Sequence, residues 1–160
     1  MRLSRLADYG TVVMGFMAGD PALVHTATGI AAAVGVAPPT VSKLLKLLSR
    51  GGLLVSLRGS RGGYRLSRRP ESITVAEVVE AVEGTIALTE CSGVTCRCSL
   101  EPGCPVQKNW RQINRQLRRV LDGVTLADLA RKRTRKGSLR RDPGAGASKT
   151  DAGVAVGNRT

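Results

Sequence analysis

The sequence predicts a mainly α-helical fold carrying one small β-hairpin. Apolar residues recur at three- and four-residue spacing in several separate stretches of the first 131 residues. Between residues 53 and 69 that period gives way to apolar and polar alternation around a glycine-rich centre, LLVSLRGSRGGYRLSRR. The periodicity then stops near residue 131, and the remainder, rich in Arg, Lys, Gly and Ser, reads as a basic disordered tail over 132–160.

Each element has its own signal. Leu3, Leu6, Val13, Phe16 and Met17 share one stripe of a first helix, stopped by Gly19, Asp20 and Pro21. Thr26 or Thr28 caps a short second helix with Ile30, Ala33 and Val34 on its apolar side, and Gly35 suits a left-handed residue just beyond it. Pro38 and Pro39 fit the first turn of a third helix, where missing N–H groups matter least; Val41, Leu44, Leu45 and Leu48 mark its buried side, and Gly51 and Gly52 end it. Two short helices joined by a glycine-containing turn form a helix-turn-helix pattern, whose second member can enter a major groove.

Off the apolar side of that helix stand Thr40, Ser42, Lys43 and Lys46, hydroxyls and ammonium groups suited to phosphates and base edges. Every amphipathic helix exposes a polar face, so this pattern alone decides little. The hairpin that follows makes it specific. Arg58, Ser60, Arg61, Arg65, Arg68 and Arg69 cluster on and beside a glycine turn, forming a basic wing able to reach a duplex backbone or minor groove. The expected DNA-contacting residues are therefore Thr40, Ser42, Lys43, Lys46, Arg58, Ser60 and Arg61.

Thr74 to Glu77, TVAE, reads as a capping box opening a fourth helix with Val78, Val79 and Val82 on one side and Gly84 at its end. Val106, Trp110, Ile113, Leu117, Val120 and Leu121 then recur through a long helix ending by Gly123. Too few apolar residues remain nearby to cover it, so a second copy of the chain is the expected cover, and a two-fold homodimer suits a pseudo-palindromic DNA site. The expected fold is a winged helix-turn-helix plus a long dimerisation helix, divided into 1–69 (winged helix-turn-helix), 70–131 (cysteine loop and dimerisation helix) and 132–160 (tail).

Composition limits the function classes. Lys and Arg number 25 against 12 Asp and Glu, a formal charge of +13, which favours a polyanionic partner such as double-stranded DNA. Aromatic residues make up only 2% of the chain, too few for base-stacking recognition of single strands. No apolar run reaches membrane-spanning length and the amino terminus lacks a secretory pattern, so a cytoplasmic protein without membrane association is expected. An enzyme is not expected: GSRGGY is a hairpin turn rather than a strand-to-helix phosphate loop, and the single histidine, His25, has no plausible nucleophile to serve.

All four cysteines lie within CSGVTCRCSLEPGC, residues 91 to 104. In a reducing compartment such clustering points to metal ligation or redox chemistry rather than structural disulfides. Four residues separate Cys91 from Cys96, one separates Cys96 from Cys98, and five separate Cys98 from Cys104, so the paired CxxC of structural zinc sites is absent. The spacing ranks an iron-sulfur cluster first, a thiol switch aided by Arg97 second and zinc third.

The opening MRLSRLADYG, the helix PPTVSKLLKLLSRGGLL, the wing RGSRGGYRL, then ITVAEVVEAVEGTIALTEC and CPVQKNWRQIN together resemble the Rrf-type winged-helix transcriptional regulators of the IscR and NsrR kind, over residues 1 to 131. ALTEC and CPVQKNWRQIN are most similar to the subgroup described as regulators of the SUF iron-sulfur assembly system. The resemblance implies a homodimer whose cluster, 2Fe-2S or 4Fe-4S, controls DNA binding and represses iron-sulfur assembly genes. It also leaves room for a thiol-based or nitric-oxide-responsive repressor that needs no cluster. It places the family's cysteine ligands on Cys91, Cys98 and Cys104, with Cys96 an addition that could replace Cys98. IscR-like members supply a histidine where this chain has Gln107; NsrR-like members take an aspartate from the partner's first helix, and Asp8 holds that motif position. An oxygen donor there would leave one corner of the cluster labile.

Overall fold

In the computed structural model, residues 3–59, 62–89 and 104–131 are described. Ser60, Arg61, Cys91, Cys96, Cys98 and the tail lie outside the described residues. The elements run α1 (Arg5–Ala18), α2 (Ala27–Val34), α3 (Pro38–Arg50), β1 (Leu54–Leu57), β2 (Gly63–Leu66), a 3-10 turn (Pro70–Ser72), α4 (Val75–Glu83), α5 (Gln107–Asp122) and α6 (Leu126–Ala130). The fold is mainly helical, with β1 and β2 pairing antiparallel in the register Leu54 opposite Leu66 and Leu57 opposite Gly63. No single helix among the described residues is long and apolar enough to cross a membrane.

The helix-turn-helix forms as the residues dictate. Thr26 caps α2 by accepting from the Gly29 N–H at 3.0 Å, and Gly35 takes the left-handed conformation, φ 68°, that lets the chain reverse into α3. Pro38 and Pro39 occupy the first two positions of α3. The chain bends by 117° between α2 and α3, within the range of about 90–120° that characterises helix-turn-helix units. Val41, Leu44, Leu45 and Leu48 are fully buried, in one core with Val13, Met14 and Met17 of α1, Ile30 of α2, Leu53, Leu54, Leu66, Ile73, Val78 and Leu126.

α1 differs from its expected stripe. Leu3 and Phe16 are exposed, at 42% and 39%, and the buried row is Ala7, Gly10, Val13, Met14, Met17 and Ala18. Small residues win because α1 lies close to α4: a Cβ on Gly10 would sit 3.2 Å from Val82 and 3.6 Å from Val78. On α2 the same exchange occurs, with Ala31 buried and Ala33 exposed.

The capping box of α4 is present: the Glu77 N–H donates to Thr74 Oγ1 at 3.3 Å and the Thr74 N–H donates to the Glu77 carboxylate at 2.9 Å. Burial works against the Glu77 charge, but hydrogen bonds from Arg68 and Thr74 outweigh it and hold its carboxyl below the usual range. α6 has no counterpart in the sequence reading. It packs on α1 and on the 3-10 turn, buries Leu126, and opens on a second capping box, Thr125 with Asp128. The Thr125 N–H and hydroxyl bind the Asp128 carboxylate and lower its titration.

Candidate nucleic-acid interface

The polar face of α3 is where its apolar face requires it to be. With the leucine row turned into the core, Lys43 and Lys46 stand exposed and Thr40 and Ser42 half-buried beside them. The wing is held against this unit by main chain. His25, in the connector between α1 and α2, exchanges two backbone hydrogen bonds of 2.8 Å with Tyr64 of β2. Gly63 permits that approach, since a Cβ there would fall 2.5 Å from the His25 carbonyl oxygen. The His25 ring is buried edge-on against Phe16, with 5.3 Å between ring centroids. The His25 backbone anchors the wing, and among the described residues His25 joins no group of three or more candidate metal ligands.

Arg58 and Arg65 project from the exposed sides of the hairpin. Among the described residues Lys43, Lys46, Arg58, Arg65 and Arg69 make no ion pair, so no described carboxylate offsets their charge. Arg68 behaves differently. It donates to Glu77 at 2.8 Å and to the Ser72 carbonyl at 3.1 Å, fastening the foot of the wing to α4. Its charge is spent inside the fold, a use that a run of arginines in sequence does not reveal.

The second region centres on α5. Val106, Trp110, Ile113 and Val120 are exposed, the last at 67%, whereas Leu117 and Leu121 lean on a small core of Ala76, Val79 and Ile86. Cys104 lies just before α5 as a free, half-buried thiol. Asp8 is exposed in the first turn of α1. Among the described residues no group of three or more His, Cys, Asp or Glu gathers at metal-binding distance. Sequence reasoning passed over Asn114, a buried amide on α5, and the Arg118 to Glu80 pair that joins α5 to α4. Asn114 gives no signal in sequence because a polar residue on an amphipathic helix ordinarily faces solvent; α6 carries one, in TLAD.

Residues 3–132 match the Rrf2 family, described as an iron-dependent transcriptional regulator. This chain belongs to the Rrf2 family. Among Rrf2-like relatives, the HTH-type transcriptional regulator NsrR of Geobacillus kaustophilus is 31% identical over 144 residues, 89% of this chain and 98% of that one. CymR of B. subtilis, the global cysteine regulator, superposes with a TM-score of 0.65 at 29% identity, covering 81% of this chain and 96% of its own. T. potens IscR gives 0.62 at 28% identity, covering 81% and 85%. The Rrf2 chain described here is thus a DNA-binding transcriptional regulator with a winged-helix fold, and not an enzyme.

Proposed function

We propose that this protein is an iron-sulfur-cluster-sensing repressor of iron-sulfur assembly (SUF) genes, acting as a homodimer on double-stranded DNA. The observation that carries the reading is the placement of all four cysteines in the single segment that joins α4 to α5, in a chain whose family is iron-dependent. The donor set fits such a cluster: soft thiolates from Cys91, Cys98 and Cys104, with Cys96 as an alternative, and the exposed Asp8 carboxylate of the partner's α1 as a weak fourth donor. When bound, the cluster supplies a group that oxygen, nitric oxide or iron scarcity can remove or modify.

The chain's own residues convert that state into DNA occupancy. Trp110, Ile113 and Val120 of α5 meet their copies across a two-fold axis, which sets the separation of two recognition helices. α4 packs against both α5 and α3, so a change at the α5 end bears on the reading head. Regulation requires that the loaded segment favour one dimer arrangement over the other. Replacing Cys104 with alanine is expected to abolish the response of a SUF-promoter reporter to iron starvation; an unchanged response would count against the switch.

Lys43 and Thr40 are assigned to base edges, Ser42 and Lys46 to the groove beside them, and Arg58, Ser60 and Arg61 to phosphates. On that assignment Lys43→Ala costs about 1–3 kcal/mol of discrimination between operator and unrelated duplex. Arg58→Ala weakens both duplexes alike and reduces the salt slope by about one. Fluorescence anisotropy titrations at several salt concentrations separate the two, and equal losses on every duplex would remove Lys43 from base readout.

A second reading is a thiol-based or nitric-oxide-responsive winged-helix repressor without a required cluster. The half-buried free thiol of Cys104 supports it. It differs in being colourless after anaerobic purification and in responding to peroxide.

A further inference from the structure

The inward row of α5 runs Asn114, Leu117 and Leu121, and a polar residue stands at its head where packing alone calls for leucine. Asn114 is the one buried residue of α5, at 9% exposure. Its Nδ2 donates to the Ile86 carbonyl at 2.9 Å and its Oδ1 accepts from the Leu88 N–H at 3.2 Å. A buried amide is tolerated only where such partners exist, and two of them here belong to the main chain just before the cysteine segment. Ile86 is itself buried, against Ala76 and Val79 of α4 with Leu117 and Leu121. Four residues beyond Asn114, Arg118 binds both carboxylate oxygens of Glu80 on α4, one of them at 3.0 Å. α4 in turn packs on α3.

We propose that Asn114 is a positioning residue that pins the chain entering the cysteine segment onto the helix leaving it, so that the state of the cysteines is transmitted through α5 and α4 to α3. The inference rests on the reading of that segment as the sensor. Simple apolar packing would hold 86–88 against α5 but would let it slide; the paired donor and acceptor of an amide fix its register, as one rung of a β-ladder does. Without that rung, rearrangement among the cysteines is absorbed locally.

The test uses the full chain as wild type, Asn114→Ala and Asn114→Asp, the last keeping an acceptor for the Leu88 N–H while the ionised side chain lacks a donor for Ile86. Amide hydrogen exchange reads the pin without any cofactor: protection of Leu88 is expected to fall by about tenfold or more in Asn114→Ala while α1 to α3 keep theirs. Asn114→Asp also loses protection at Leu88, because its ionised carboxylate faces the Ile86 carbonyl with no proton to share. Affinity for a duplex selected in vitro on the wild-type protein is then measured before and after anaerobic cluster reconstitution. The ratio between the two states is expected to collapse toward one in Asn114→Ala, with iron and sulfide content retained. Unchanged Leu88 protection, or an unchanged ratio, overturns the proposal. If wild type takes up no cluster, the cluster reading fails, and the ratio between reduced and peroxide-treated protein decides on Asn114 in its place, by the same criterion.

Discussion

Leu44→Ala is expected to lower the unfolding free energy by about 2–5 kcal/mol, a large share of the roughly 5–15 kcal/mol typical of a domain this size. Leu44 is fully buried at the centre of α3, facing α1 closely enough that a Cβ on Gly10 would lie 3.6 Å from it. Truncation removes apolar contact from α1 and α3 together and leaves a space that neither helix can close without moving the other. Urea unfolding checks this, with a lower midpoint and an unchanged slope as the signature of lost stability. Lys43, the preceding residue, is exposed, and Lys43→Ala should leave the midpoint where it is. On the proposed contacts, these adjacent positions on one helix would separate folding from DNA reading. A Leu44→Ala protein as stable as wild type would show that α3 is not seated as described.

On the proposed homodimer, Ile113→Lys is expected to yield monomer and to weaken binding to a two-half-site duplex by about a hundredfold or more, because the second half-site no longer contributes. Within one protomer Ile113 is 47% exposed, so a lysine there costs the fold little. Across a two-fold axis each charge would face its own copy in an otherwise apolar seam, where a single residue can be worth about 2 kcal/mol or more. Sedimentation velocity gives the oligomeric state directly. A dimer that survives Ile113→Lys would move the interface away from this face of α5.

The legible parts of this protein are those where one physical demand dominates. α3 could be read because four inward aliphatics and two leading prolines agree, and the start of α4 because TVAE has a single sensible use. The wing was legible from alternation about glycines, since few other structures use that pattern. Where two demands compete, the reading slipped. Large side chains marked the stripe of α1, but its closeness to α4 selects Ala7 and Gly10 for the interior and turns Phe16 out to His25. Arg68 looked like its neighbours until Glu77, nine residues on, proved to hold it. α6 spans only Leu126–Ala130, too short for periodicity to register, and its Thr125 to Asp128 cap was the available clue. Asn114 was invisible because its partners are backbone atoms more than twenty residues away.

The central claim is that the cysteine segment holds an iron-sulfur cluster, and anaerobic purification followed by an ultraviolet-visible spectrum with iron and sulfide analysis tests it most directly. Wild type is measured beside Cys91→Ala, Cys96→Ala, Cys98→Ala, Cys104→Ala and Asp8→Ala. The expected result is brown protein that loses its colour without Cys91, Cys98 or Cys104, keeps it without Cys96, and bleaches faster in air without Asp8. Colourless, iron-free wild type after anaerobic reconstitution would contradict the claim and leave a thiol-based or zinc-bearing DNA-binding regulator in its place.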